Sequence, residues 1–136
     1  MSDAVRLWVD GGSRGNPGPA AIGYLIEDGG GGELRAAGEA IGTATNNVAE
    51  YRALIAGLRA AAGLGARDVE VRGDSQLLLR QMTGAYRVKH PALQQLWIEA
   101  RRVAGAFHSV RFVEIRRTEN AAADLQVNLA LDAAAP

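Results

Sequence analysis

The hydrophobic pattern begins with a period of two. Between Ala4 and Asp10, the apolar Val5, Leu7 and Val9 alternate with Arg6, Trp8 and Asp10, which predicts a strand with one apolar face. Gly11 to Pro19 is rich in glycine and proline, reads as a turn region and cannot be helix. A second strand is expected over Ala20 to Glu27, a hairpin tip over Gly29 to Gly32, and a third strand over Leu34 to Ile41. After Thr45 the spacing changes. Val48, Tyr51, Ile55, Leu58 and Ala62 fall three or four residues apart and predict a helix, with Asn46 as its N-cap and Gly63 and Gly65 at its end. Val69 to Arg72 predicts a short strand, with Gly73 and Asp74 opening a helix that runs to about Met82. Leu93, Leu96, Trp97, Ala100, Val103 and Phe107 form a second helical stripe after Pro91, Val110 to Ile115 a last strand, and Asn120 to Ala133 a last helix. Three strands joined by short links imply an antiparallel meander, and strands alternating with helices imply parallel additions. The predicted fold class is therefore α/β: a mixed five-stranded sheet flanked by helices.

Length and composition narrow this picture. The 136 residues suit one domain, expected over 1–133 with a short Ala/Pro tail at 134–136. Hydrophobic residues make up 48% and charged residues 22%, which argues against disorder. Fifteen basic residues offset fifteen acidic ones, so any polyanion must be met by a local patch or by bound metal rather than by bulk attraction. The absence of cysteine excludes disulfides and thiolate metal sites. No signal peptide or membrane span is expected, and a cytoplasmic monomer is the default.

Four carboxylates lie where separate elements begin or end. Each has an ordinary role when taken singly: Asp10 beside a turn, Glu50 in the first turn of a helix, Asp74 as an N-cap, and Asp124 on a solvated helix face. Strand ends and helix starts converge in an α/β layer, however, and a converged cluster of carboxylates repels itself and raises its own pKa values. Divalent cations relieve such repulsion. Hard oxygen ligands suit Mg²⁺ or Mn²⁺, and a pair of such ions about 4 Å apart promotes phosphodiester hydrolysis.

The words around these carboxylates carry a resemblance. Asp10-Gly11-Gly12-Ser13-Arg14-Gly15-Asn16-Pro17-Gly18-Pro19 resembles the opening signature of the type I ribonuclease H family. Thr45 to Leu54 resembles its second signature and Gly73-Asp74-Ser75-Gln76 its third. Arg117, Asn120, Ala123-Asp124 and Asn128 match its fourth. The resemblance implies a ribonuclease H-like fold and endonucleolytic cleavage of the RNA strand of RNA–DNA hybrids, with two Mg²⁺ ions as cofactor, Mn²⁺ as a substitute, and 5′-phosphate and 3′-hydroxyl products. It also implies that Asp10, Glu50, Asp74 and Asp124 form the metal site. Asp10 would bridge both ions, Asp124 would help hold the ion beside the attacking water, and Glu50 and Asp74 would hold the other.

Substrate contacts follow from the same resemblance. Asn16, Asn47 and Gln76 match positions that read the RNA strand, and their amides can both donate to and accept from a 2′-hydroxyl. Gly11 and Gly12 either let the nucleic acid approach the backbone or serve the turn. Thr43 and Asn46 resemble a pocket for a phosphate of the DNA strand. Arg87 and Lys89, the latter the only lysine, lie in a segment resembling a substrate-facing loop of a compact branch of the family. Arg117 is the candidate for phosphate contact in a loop where some relatives have histidine, while His90 and His108 lie elsewhere.

The chain also departs from the family. It lacks the basic helix some relatives insert between the Asp74 and Trp97 helices, and no N-terminal hybrid-binding module is expected. Leu125-Gln126-Val127 replaces the more usual polar-Leu-Ala after the last carboxylate. Two rival readings fit the sequence less well. A noncatalytic hybrid-binding module would not need a self-repelling carboxylate cluster. A nucleotide-binding loop would need a Gly-Lys-Ser/Thr ending and a helix that Pro17 and Pro19 obstruct.

Overall fold

The computed structural model describes residues 3–135. Residues 1, 2 and 136, which belong to the expected domain and tail, lie outside the described residues. The elements in chain order are β1 (Ala4–Ser13), β2 (Gly18–Asp28), β3 (Glu33–Ala44), α1 (Asn46–Gly63), β4 (Asp68–Gly73), α2 (Gln76–Met82), α3 (Pro91–Ala104), β5 (Ser109–Glu114) and α4 (Ala121–Ala134), with a 3-10 turn at Arg117–Glu119. The sheet order is β3-β2-β1-β4-β5. β1 pairs antiparallel with β2 and β2 with β3, while β4 is parallel to both β1 and β5. This is the mixed five-stranded sheet that the sequence predicts. No helix among the described residues is long and apolar enough to cross a membrane.

Alternation along β1 assigns the two faces of the sheet. Val5, Leu7 and Val9 are buried and join the main core with Ile22, Tyr24 and Ile26 of β2 and Tyr51, Leu54 and Leu58 of α1. Asp10 and Gly12 point to the other face, where α4 closes a smaller cluster of Ala21, Val127 and Leu131. Cross-strand partners share a face, so the pairs Asp10↔Gly23 and Gly12↔Ala21 lie together beneath α4. Gly23 and Gly38 are themselves partners. A Cβ on either would meet the backbone of α4, at 2.4 Å from the Ala123 oxygen and 2.3 Å from the Gln126 oxygen respectively. Two side-chain-free positions thus let the last helix lie directly on the sheet beside Asp10.

Several boundaries differ from expectation. β1 continues three residues past Asp10, because Gly11, Gly12 and Ser13 pair with Ile22, Ala21 and Ala20. The turn is confined to residues 14–17. Thr45, not Asn46, caps α1 by accepting the Val48 N–H (3.2 Å). Ser75, not Asp74, caps α2 through the Leu78 N–H (3.2 Å), and Gly73 belongs to β4. Phe107 lies beyond α3 but still packs on the core, and Ala62 is exposed while Ala61 is buried. The Leu125-Gln126-Val127 departure is absorbed without loss of packing. Leu125 is 54% exposed, Gln126 lies over Gly38 and Val127 is buried.

Candidate active site

Three elements deliver one carboxylate each to a single point. Asp10 comes from β1, Glu50 from α1 and Asp74 from the residue following β4, and each offers an oxygen within 4.8 Å of the others. Gly11 makes this convergence sterically possible. A Cβ there would lie 2.3 Å from the Ala49 carbonyl carbon and oxygen and 2.6 Å from the Glu50 nitrogen. Without it, α1 rests on the strand and the Glu50 carboxylate accepts the Gly11 N–H. Gly11 lies within β1 rather than in a turn, and the close approach it permits is that of a helix of the same chain. Gly12 has only the Val127 and Asn46 side chains near the limit of contact. Glu50 lies beyond the first turn of α1, so the helix dipole does not account for its position.

Asp124, exposed in the first turn of α4, is the fourth carboxylate: it lies close enough to Asp10 to raise its pKa, outside the three-way convergence of Asp10, Glu50 and Asp74. The electrostatics are those of a site short of positive charge. The Asp10 carboxyl is pushed from 3.8 up to about 7, first by burial, then by the Asp74 charge and by Asp124, with Arg117 opposing. Glu50 is held well above the usual carboxylate range by burial and then by Asp10, while the Gly11 N–H opposes, Asp74 adds to the rise, and the Ser75 hydroxyl opposes. Arg117 pairs with Asp74 at 3.5 Å, but its side chain is 89% exposed at the mouth of the site. A clustered set of hard oxygen donors whose charges the protein compensates only through the exposed Arg117 and a few hydrogen bonds fits a divalent cation.

These shifts make metal-free stability depend on pH with a definite sign. A carboxyl whose folded pKa is raised binds more protons in the folded than in the unfolded state, so stability falls as pH climbs between the two values. For Asp10 that window runs from 3.8 to about 7, and a shift of this size corresponds to on the order of 4 kcal/mol. Asp68, Glu70 and Glu119 are shifted down, so their opposite effect is confined to more acidic solution. In EDTA the melting temperature should therefore be about 10 °C lower at pH 8 than at pH 5. A flat or rising profile in a thermal-unfolding series would contradict this charge balance.

The other candidate residues surround this centre in three groups. Asn16, Asn46 and Ser13 are knitted together: Asn16 Oδ1 accepts the Asn46 N–H (3.1 Å), and Asn46 Oδ1 accepts the Ser13 N–H (2.8 Å). Thr43 sits opposite Pro19 on the β2–β3 ladder and shares a hollow with Arg14 and Gly42. Asn47 and Gln76 are exposed in the first turns of α1 and α2. Arg87 and Lys89 line one groove with Tyr86, Gln94 and Trp97 beyond α2, apart from the carboxylates. His90 caps α3 through the Ala92 N–H (3.2 Å), and His108 pairs with Asp68 (2.8 Å). Sequence reasoning gave no role to Ser75, which touches Glu50, or to the buried Asn120, which touches Asp74. A second cap-forming residue beside Asp74 was the available signal for Ser75.

Comparison with known proteins agrees with this architecture. Residues 8–130 match the sequence model of the reverse transcriptase-like family. The crystal structure of RNase H1 from Halobacterium salinarum superposes with a TM-score of 0.94 at 46% identity, covering 96% of this chain and 99% of that one. LC11-RNase H1, solved in complex with an RNA/DNA hybrid, superposes at 0.91 with 43% identity, covering 96% and 98%. Bifunctional protein Rv2228c of Mycobacterium tuberculosis is 47% identical over 96% of this chain. The chain belongs to the ribonuclease H family, in its type I branch. It spans 64% of the length of the curated Halobacterium salinarum ribonuclease HI and 36% of Rv2228c.

Proposed function

We propose that this chain is a ribonuclease H that cuts the RNA strand of RNA–DNA hybrids endonucleolytically, with 1–133 as the catalytic domain, acting as a cytoplasmic monomer. The observation that carries the proposal is the convergence of Asp10, Glu50 and Asp74 within 4.8 Å, with Asp124 against Asp10. The 43% identical LC11-RNase H1, solved with an RNA/DNA hybrid, supports the choice of substrate. Two divalent cations, Mg²⁺ or in its place Mn²⁺, would be held by these four carboxylates and would supply Lewis acidity that lowers the pKa of water and offsets charge on phosphate oxygens.

The protein's own contribution is placement. Asp10 lies within reach of Asp74 and is influenced by Asp124 as well, so it would serve both ions, Asp124 would help hold the one beside the attacking water, and Glu50 and Asp74 would hold the other. Water adds to phosphorus and gives up a proton as the bond to the 3′-oxygen breaks, and that oxygen takes up a proton. The products carry a 5′-phosphate and a 3′-hydroxyl. Asn16, Asn47 and Gln76, with Gly12 beside them, would face the RNA strand, where amides distinguish a 2′-hydroxyl from hydrogen. The side-chain oxygens of Asn16 and Asn46 are already accepting, so each offers a ligand its amide N–H groups. Asn16 would turn such donors to the RNA strand, and Asn46 with Thr43 would offer them to a phosphate of the DNA strand. Arg87 and Lys89 would meet backbone phosphates farther along, and Arg117 those at the mouth.

Strand-labelled duplexes test the proposal. With Mg²⁺ or Mn²⁺, cuts should be confined to the RNA strand of the hybrid, carry 5′-phosphate ends and vanish in EDTA. A folded protein that binds hybrid yet cuts nothing with either ion would refute it and leave a binding module.

A further inference from the structure

Among the described residues, the buried side-chain oxygen or nitrogen left without a hydrogen-bond partner is Oδ1 of Asn120, a residue only 1% exposed. Its Nδ2 is fully engaged. It donates to the Val9 carbonyl at 2.8 Å and to Asp74 Oδ1 at 3.2 Å. The β1–β4 ladder ends at the pair Trp8↔Arg72, so the amide of Asn120 continues, from another element, the pairing of β1 just before Asp10. The Asn120 backbone carbonyl in turn accepts the Asp124 N–H at 3.1 Å. One residue therefore joins the strand of Asp10, the carboxylate of Asp74 and the helical turn of Asp124.

The orientation of this amide has no freedom. Turning it over would set Oδ1 against the Val9 carbonyl and the Asp74 carboxylate, two acceptors. The side chain is locked with its donor toward the site, even though its oxygen then has no partner. An apolar residue would remove that orphaned oxygen but strip Val9 and Asp74 of their donor. An arrangement that leaves one polar atom unsatisfied to orient a carboxylate belongs to the site rather than to packing.

We propose that Asn120 is the positioning residue of the carboxylate cluster: by holding Asp74 against the β1 backbone beside Asp10, it sets the affinity of the site for divalent cations. This rests on the reading of the cluster as a metal site. The test is calorimetric titration of Mn²⁺ into the whole protein, alongside thermal unfolding, for wild type, Asn120→Ala and Asn120→Ser. The serine variant keeps a polar group in the buried space but is too short to bridge Val9 and Asp74 at once. The Mn²⁺ Kd should rise about tenfold or more in either variant that unfolds cooperatively. In an Asp74→Asn background the same substitution should raise Kd by a much smaller factor, because the carboxylate it positions is gone. An unchanged Kd with only a lowered melting temperature would overturn the assignment and leave Asn120 as a structural tie. So would an equal loss of affinity in both backgrounds. A wild-type protein that binds no Mn²⁺ would remove the metal reading itself, a result distinguishable from either of these.

Discussion

Asp10→Asn should abolish hybrid cleavage and at the same time make the metal-free protein more stable. The two effects have one cause. Asp10 is buried among Glu50, Asp74 and Asp124, with Arg117 as the opposing charge, and its ionised form is therefore unfavourable in the folded state unless a cation is present. An amide of the same shape removes that charge and one ligand together. Cleavage should fall by about 10³-fold or more, the scale on which essential groups of a catalytic unit act. In EDTA at pH 8 the folded state should gain roughly 2–4 kcal/mol, the free energy of a carboxyl shifted this far. A rise in melting temperature of about 8 °C would register it. The pH dependence of metal-free stability should flatten in the same variant. A lower melting temperature in Asp10→Asn would show that Asp10 serves the fold through a contact other than this cluster.

Gly23→Ala should damage the site although it touches none of the four carboxylates. Its Cβ would fall 2.4 Å from the Ala123 oxygen and 2.9 Å from the Val127 nitrogen, both backbone atoms of α4 that cannot yield by a change of rotamer. The helix must lift from the sheet, and Asp124, the next residue after Ala123, leaves Asp10, the cross-strand partner of Gly23. Overpacking of this severity costs about 3 kcal/mol, and a displacement near 1 Å at a reacting centre lowers turnover about 10²-fold. Gly63→Ala provides the control. It ends α1 with open space around the position where its Cβ would be, and should be neutral or slightly stabilising. Thermal unfolding and turnover of the two variants, measured together, check the contrast.

The sequence carried the order of elements and the chemistry of the site further than it carried the contacts. Period-two alternation in β1 and the stripes of α1 and α3 were legible because each depends on residues a few positions apart. The four carboxylates were legible through the words surrounding them, since spacing alone could not bring Asp10 and Asp124 together. The caps of α1 and α2 fall to Thr45 and Ser75, where Asn46 was expected and Asp74 was the ordinary single-residue reading, for one physical reason. Thr45 and Asn46, and likewise Asp74 and Ser75, are adjacent residues that can each cap a helix. The residue with a tertiary partner gave up the role: Asn46 turned to Ser13, and Asp74 faced the carboxylates. Gly11 and Gly12 read as a turn because glycine signals both turns and close approach; the distinction lay in Ala49, across the structure. The burial of Asn120 depends on Val9, a contact that spans most of the chain, and no local pattern encodes it.

The most direct test of the account is a Mn²⁺ titration of the wild-type protein near pH 6, run by calorimetry in two buffers of different ionisation enthalpy so that released protons are counted. Asp10 at about 7 and Glu50, raised well above the carboxylate range, must deprotonate to bind a cation. Saturable binding with release of about one to two protons per protein is expected, reduced in Asp10→Asn. Saturable binding with no proton release, or no binding at all, would contradict the account.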